Sequence, residues 1–358
     1  MRRFSFPAFL LTFFLAVSVE IHPQQQPSTA QPAPADAMYA QPGQLVLVGR
    51  ARLNLYCMGT GSPAVVFDSG WEDWAPAWSV VQPRIAQWTR ACSYDRAGAG
   101  FSDPGPMPRT SVRIADELHT ALHQAGIAGP YILVGNAFGG DPVRTFADRY
   151  LRDVAGLVLI DADASDLEPK AMQEDDHRGN AKNIVHLREC RDAVAQHKPL
   201  PLLPSRPGQP QRTCAQQFFR GLPEAQWSPE LNAKLLQIAE TKVAMYDAYI
   251  SEMEQMTWDE DYLQKHRTSL GSRPIRVLTS GNHGVGHLEL APENTPEQVK
   301  YEHDITQAQA RWLELSTNSR QIFARHSSEY IEFDEPDTVV NAIREVFDQS
   351  RKASHSSR

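Results

Sequence analysis

Short apolar segments rich in β-branched residues alternate with segments of helical periodicity along most of the chain. The strand candidates in the first half read LVLVG, RLNLYCMG, AVVFDSG, ACSYD, YILVGN and VAGLVLID. Apolar residues recur at helical spacing between them, in SVVQPRIAQW, SVRIADELHTALHQAG and DPVRTFADRYL. Two opening strands followed by alternating helices and strands are typical of a mostly parallel sheet with helices on both faces. The predicted fold class is therefore α/β.

The alternation stops after Asp161 and resumes at Pro274. The intervening chain is polar, proline-rich in HKPLPLLPSRPGQPQ and helical in patches such as LNAKLLQIAETKVAMYDAYISEME. The strand candidate PIRVLTSG and the helical PDTVVNAIREVFDQS then continue the earlier pattern. We therefore predict a core of residues 44–164 and 273–351. Residues 165–272 are predicted to form a helical cap, inserted after the sixth strand, over the carboxyl edge of the sheet.

The first residues have the pattern of an export signal. Met1 is followed by two arginines and then by the apolar run FPAFLLTFFLAVSV, which is short for a membrane span. Ala16 and Ser18 are small residues suited to cleavage after Ser18, and an uncleaved anchor is the alternative. We predict a signal peptide at residues 1–18 and a flexible Pro/Gln-rich leader at residues 19–43. The mature protein is then exported, periplasmic or secreted, without a stable membrane span.

Composition and charge narrow the class of partner. The chain has 358 residues, of which 41% are hydrophobic and 22% charged, and these values are ordinary for a globular protein. Its net charge is -8 and it lacks a basic run, which argues against a nucleic-acid partner. The four cysteines are even in number and form no C-x-x-C pair, so they favour two disulfides over a metal site.

The segment YILVGNAFGGDPVRTFADRY has the layout of a nucleophile elbow, in which a strand enters a glycine-bracketed turn and a helix follows. The elbow pattern is G-x-S-x-G, and its central position normally holds the residue that attacks a carbonyl. Here Gly135 and Gly139 are present, but the central residue is Ala137. A methyl group cannot act as a nucleophile.

Four motifs in this order resemble the α/β-hydrolase family, in particular exported bacterial hydrolases of the esterase and epoxide-hydrolase type. They are VVFDSGWEDWAPAWSVVQP, SYDRAGAGFSDPGPMPRT, LVGNAFGG and EYIEFDEPDTVVNAIREV. The resemblance covers roughly residues 45–165 and 272–350. It implies an eight-stranded sheet in which the second strand runs antiparallel beside the fourth. That placement implies a Cys57–Cys92 disulfide, and Cys190 and Cys214 fit a second disulfide within the cap.

The resemblance also shows which catalytic positions are altered. The family uses a serine nucleophile, a late histidine base and a carboxylate that orients the histidine. Ala137 replaces the serine, and Glu329 occupies the position of the histidine in the sequence SSEY. The usual acid position, in SGNHGVGHLEL, has no carboxylate before Glu289, whereas the substitute position after the sixth strand offers Asp161 and Asp163. A purely structural cap is the alternative role for Asp161.

The oxyanion hole does not depend on the lost side chains. The backbone N–H groups of Trp71 and Phe138 would still point into the pocket. We expect Trp74, Asn136 and Asp141 to line the ligand site, although tryptophans in this loop have packing as the alternative role. The predicted ligand is a small apolar carbonyl or ester-like molecule, and no cofactor is implied.

Three functions remain open on this sequence. The first is an impaired or non-hydrolytic homologue that binds such a ligand. The second is an active hydrolase with another nucleophile or an activated water, for which Asp141 is a candidate. The third is a lyase or isomerase with Glu329 as general base. A metal site at His283 and His287 is not expected, since the glycines between them argue against the helix that would place both rings on one face.

Overall fold

A computed structural model of the protein describes residues 36–203, 211–218, 227–281 and 295–356. An eight-stranded sheet in this part of the chain has the order β1-β2-β4-β3-β5-β6-β7-β8. The strands are Gln44–Val48, Ala51–Met58, Ala64–Asp68, Ala91–Asp95, Tyr131–Asn136, Val154–Ile160, Ile275–Ser280 and Ser319–Ala324, numbered β1 to β8. Strand β2 runs antiparallel to β1 and β4, and the other neighbouring pairs are parallel. The predicted α/β fold class and mostly parallel sheet are confirmed.

The central strands are buried along their whole length because helices cover both faces of the sheet. Every residue of β3, β5, β6 and β7 is buried, which explains their continuous apolar sequences. Alternate residues of β5 enter different cores. Ile132 and Val134 pack in one apolar cluster, whereas Tyr131 and Leu133 pack in the other.

Helices outside the insertion pack directly on the sheet. The short helix α1 spans Gln82–Ile85, α2 spans Ser111–Gln124 and α3 spans Gly140–Arg149. After the insertion come α9, α10 and α11, which span Pro296–Ala310, Ile331–Asp334 and Pro336–Ser356. Helix α2 packs against α3 and β1, and α11 packs against β6 and β7. The α2 side chains Leu118 and Leu122 are fully buried, as expected for the apolar stripe of a surface helix.

Helices also fill the described residues between β6 and β7, a part of the chain that we call the helical insertion. Its helices α4 to α8 span Lys170–Ala195, Cys214–Gln217, Pro229–Thr241, Val243–Glu254 and Met256–Lys265. Tyr246 and Tyr249 of α7 belong to the same apolar cluster as Val65 and Val134 of the sheet. None of the helices in the described ranges is both long and apolar enough to span a membrane.

Both predicted disulfides are present. Cys57 on β2 lies directly opposite Cys92 on β4 in the antiparallel register, and the two are bonded. Cys190 at the end of α4 is bonded to Cys214 at the start of α5. The first bond joins neighbouring strands of the sheet and the second stays within the helical insertion.

The predicted leader extends too far into the folded chain. Residues Asp36–Ala40 form a 3-10 helix instead of a flexible segment. The side chain of Tyr39 is buried and its hydroxyl donates to Gln82 Oε1 at 2.7 Å, while Asp36 accepts from the backbone N–H of Ser228 at 2.6 Å. These tertiary contacts order a segment that has no periodicity of its own. The predicted signal peptide lies outside the described residues.

Candidate active site

The turn after β5 has the backbone of a nucleophile elbow. Ala137 has φ +45°, in the left-handed region that is unfavourable for residues with a Cβ atom. A Cβ atom at Gly135 would lie 2.4 Å from the carbonyl oxygen of Gly139, and one at Gly139 would lie 2.4 Å from that of Asp68. Both bracketing positions therefore require glycine. Helix α3 begins directly after this turn.

The loop after β3 lies against the elbow. A Cβ atom at Gly70 would lie 3.3 Å from Ala137 Cβ and 3.2 Å from Asn136 Oδ1. The side chains at the two predicted oxyanion positions, Trp71 and Phe138, stack with ring centroids 4.8 Å apart and planes at 15°. The Arg96 guanidinium lies 5.1 Å from the Phe138 centroid. The two segments that carry the predicted oxyanion N–H groups are thus adjacent, and the binding role of those groups stays a prediction.

Glu329 lies beside the elbow, in the loop between β8 and α10. The side-chain nitrogen of Asn136 donates to the carbonyl oxygens of Ile160, at 3.2 Å, and Glu329, at 3.1 Å. Asn136 therefore holds the loop in place rather than presenting its amide group freely to a ligand. Ala137, Trp71 and Glu329 each keep partial exposure, whereas Asn136 and Phe138 are 2% exposed. The nucleophile position is therefore partly accessible, and we call the space beside Ala137, Trp71 and Glu329 the crevice.

Asp73 is a site residue that the sequence patterns do not mark. Its Oδ2 atom would lie 3.6 Å from a Cβ atom placed at Gly70, the same point that Ala137 Cβ approaches. The side chain is 3% exposed, and within the described residues Oδ1 has no hydrogen-bond partner. Burial raises the pKa of Asp73 well above its usual value, and the nearby Glu329 and Glu72 raise it further. The only sequence signal is a carboxylate between tryptophans in GWEDWAP.

Glu332, in α10, is a third carboxyl group near this crevice. It is fully buried, and neither of its side-chain oxygens has a hydrogen-bond partner within the described part of the chain. Burial raises its pKa well above the usual value, and the charges of Asp73 and Glu329 add to the increase. Electrostatic coupling therefore links Asp73, Glu329 and Glu332, a set that we call the carboxyl cluster.

Arg96, just after β4, is a cation in contact with the elbow loops. Its guanidinium donates to Asp68 at 2.8 Å and to Glu252 at 3.1 and 3.4 Å. It also donates to the carbonyl oxygens of Ser69 and Gly70, each at 2.6 Å. All five N–H groups of an arginine are committed by these contacts. Arg96 fixes the oxyanion loop and joins the sheet to α7 of the helical insertion.

The two predicted acid residues have different environments. Asp161, with φ +40°, accepts from Ser280 Oγ at 2.8 Å, from Ser280 N at 3.2 Å and from Gln309 Nε2 at 3.1 Å. These bonds join β6 to β7 and α9 and fit the structural alternative. The backbone N–H of Asp163 donates to the Ala137 carbonyl oxygen at 2.9 Å. Burial, followed by the charge of Asp176, raises the pKa of the Asp163 carboxyl to about 7.

Asp141 and Trp74 are buried away from the crevice surface. Asp141 lies 3.7 Å from the Arg144 guanidinium, and burial followed by the charge of Asp163 raises its pKa well above the usual value. Trp74 is almost fully buried and packs edge-on against Phe218, at 6.4 Å. This position fits the packing role for Trp74. His283, His287 and Glu289 lie outside the described residues, and the described ranges contain no group of three metal-binding side chains suited to an ion.

Comparisons with known proteins agree with this architecture. Residues 63–203 match a family model described as alpha/beta hydrolase fold. An uncharacterised protein of Schizosaccharomyces pombe is 32% identical over 157 residues, which are 36% of this chain and 29% of that protein. This chain therefore spans less than a third of that relative.

Two solved structures superpose over most of the chain. A candidate epoxide hydrolase from Pseudomonas aeruginosa has a TM-score of 0.61 and 17% identity, covering 87% of this chain and 96% of that one. A thermophilic esterase from Thermogutta terrifontis has a TM-score of 0.55 and 21% identity, covering 87% and 99%. Identities in this range establish the fold alone. With its eight-stranded sheet, its elbow and its inserted helices, the chain has the α/β-hydrolase fold.

Proposed function

We propose that this protein binds a small carbonyl or ester-like molecule in the crevice at Ala137 and does not hydrolyse it by the serine mechanism. The observation that carries the proposal is Ala137 itself. This residue keeps the left-handed backbone of a nucleophile elbow and partial exposure, but it has no reactive side-chain atom. Left-handed backbone at a non-glycine residue costs on the order of 1 kcal/mol. Retention of this unfavourable backbone conformation favours a pocket that still binds a ligand.

The missing groups account for the proposed loss of hydrolysis. Removal of one member of a catalytic triad lowers turnover by ~10⁴ or more, and further removals add little. Here the nucleophile and the base positions are both replaced, by Ala137 and Glu329. The backbone N–H groups of Trp71 and Phe138 are independent of these replacements and supply the proposed donors for a carbonyl oxygen.

Lyase or isomerase chemistry is the second candidate function, and Asp73 is the observation that favours it. A protonated Asp73 would donate to a carbonyl oxygen while an ionised Glu329 removes a proton from the adjacent carbon. The alternative of Asp141 as a substitute nucleophile has less support, because Asp141 is buried beside Arg144. We also propose export, since the signal-like N-terminus and both disulfides fit an oxidising compartment.

Hydrolysis of a panel of short p-nitrophenyl esters tests the main proposal. The native protein is compared with the double variant Ala137→Ser, Glu329→His and with the Glu329→His single variant, which has a base but no nucleophile. We expect no turnover above background from the native protein and the single variant, and measurable turnover from the double variant. Efficient hydrolysis by the native protein would refute the proposal.

A further inference from the structure

Within the described residues, no protein cation forms a hydrogen bond with Asp73 Oδ1 or with the Glu332 carboxyl of the carboxyl cluster. Arg96 opposes the raised pKa of Asp73, but its five N–H groups are bound to Asp68, Glu252 and two carbonyl oxygens. It therefore has no donor left for Asp73. Its two carboxylate partners also carry one more charge than the guanidinium does.

Buried polar atoms normally have hydrogen-bond partners, and the exceptions require an explanation. Within the described residues, Asp73 Oδ1 and both side-chain oxygens of Glu332 have none. Asp73 is 3% exposed and its other oxygen faces the point between Gly70 and Ala137, so the carboxyl is directed at the crevice end. A hydrogen-bond donor on a ligand would satisfy this carboxyl.

Aromatic residues lie near the same carboxyl, since burial and then nearby charges, that of Asp73 among them, raise the pKa of Tyr249 and Tyr330. Trp71 precedes Asp73 in the loop, and the Tyr249 hydroxyl of α7 donates to the Asp73 carbonyl oxygen at 3.4 Å. The Tyr249 ring contacts that of Phe218, with centroids 5.7 Å apart. Tyr330 follows Glu329 in the loop between β8 and α10. Aromatic faces beside buried carboxyl groups form the environment that binds organic ammonium ions.

We infer that the ligand carries a protonated amine as well as a carbonyl group. Its ammonium group donates to Asp73, and its carbonyl oxygen lies toward the backbone N–H groups of Trp71 and Phe138. This inference rests on the proposed function, because it places the ligand in the same crevice, and it adds the charge of the ligand. An amino ester or amino ketone has the required groups.

The test compares two probes that differ only in the amine. Phenylalanine methyl ester carries an ammonium group and an ester, and methyl 3-phenylpropanoate is the same ester without the amine. Calorimetric titration at neutral pH measures the affinity of the native protein for each. We expect the amine to bind about ten- to a hundredfold tighter, as charge-assisted hydrogen bonds to a buried carboxyl allow.

Substitutions in the carboxyl cluster test whether these residues cause the preference for the amine. Asp73→Asn keeps the size of the side chain but cannot ionise when an ammonium group binds, and it should reduce the preference for the amine to less than about threefold. Glu332→Gln, in a different element, should reduce the preference in the same direction and serves as a second variant if Asp73→Asn does not fold. Asp337→Asn is the matched control because this carboxylate is exposed on the surface, paired with Arg84.

Each outcome has a distinct meaning. Equal binding of the two probes would overturn the inference and leave a carbonyl site intact, so the proposed function would survive. A preference for the amine that persists in both cluster variants would place the ammonium elsewhere and also overturn the inference. Absence of binding by both probes would count against the inference and against the proposed ester site together.

Discussion

Replacement of Asp259 should change how the stability of the protein depends on pH. This carboxylate, on α8, is 1% exposed and accepts the backbone N–H of Ser111 at 3.0 and 3.1 Å, at the first residue of α2. Burial raises its pKa from 3.8 to about 7 despite those hydrogen bonds. Because the folded form holds a proton that the unfolded form releases above pH ~4, the free energy of unfolding should fall as pH rises through 7.

The magnitude follows from the two pKa values. A difference of about three pKa units between the folded and unfolded states contributes at most about 4 kcal/mol to the free energy of unfolding. About 2 kcal/mol of this contribution is lost between pH 5.5 and pH 8. Asp259→Asn has no such titration, so its free energy of unfolding should decline about 2 kcal/mol less than that of the native protein over this range. The asparagine oxygen still accepts from Ser111.

Urea unfolding at several pH values between 5.5 and 8 measures the effect. Distant buried carboxyls contribute equally to both proteins, so the difference between their slopes reports Asp259 together with its effect on the neighbouring Glu252, Glu260 and Asp141. Asp261→Asn, an exposed carboxylate on the same helix, should keep the native slope. Identical slopes for the native protein and Asp259→Asn would show that Asp259 is ionised throughout this pH range and would contradict the prediction.

Two further substitutions test the elbow and the helical insertion. Gly139→Ala should destabilise the protein by several kcal/mol or prevent folding, because the new Cβ would lie 2.4 Å from the Asp68 carbonyl oxygen. The control Gly179→Ala has open space around it in α4 and should stabilise the protein by up to ~1 kcal/mol in thermal unfolding. Equal stability of the two variants would contradict the elbow geometry. Replacement of Cys190 and Cys214 by serine should lower the free energy of unfolding by about 3 kcal/mol, since their bond closes a loop of 24 residues in sequence separation. Unchanged denaturant midpoints would argue against this bond in solution.

The parts of the fold that sequence patterns predict are those fixed by local physics. A strand such as VAGLVLI is buried on both faces, and its apolar run is therefore readable without tertiary information. The 3-10 helix at Asp36–Ala40 escapes such prediction because its order depends on Tyr39 reaching Gln82, more than forty residues away. Local periodicity does not reveal a contact between residues so far apart in the sequence.

The residues of the candidate site also differ in whether the sequence alone identifies them. Ala137 and Glu329 are identifiable because each occupies a position defined by a motif, and the structure places both beside one crevice. Asp73 belongs to no motif that marks a carboxylate. Its importance depends on burial and on the commitment of every Arg96 donor to other groups, and both are tertiary properties. A buried carboxyl group that lacks a cation partner can therefore be identified only from the folded structure.

The ion pair between Arg96 and Glu252 also bears on the kinetics of ligand exchange. Lifting α7 from the sheet would remove Glu252 while Arg96 stays bound to the sheet loops, and loss of one partner costs about 3–5 kcal/mol where the remaining charge stays buried. By that measure, α7 would be detached in roughly one molecule in a hundred to one in several thousand. Association by a route that requires this detachment would be slowed by the same factor. Ligands that exchange rapidly must therefore pass beside α7, and a ligand enclosed beneath it should have a long residence time.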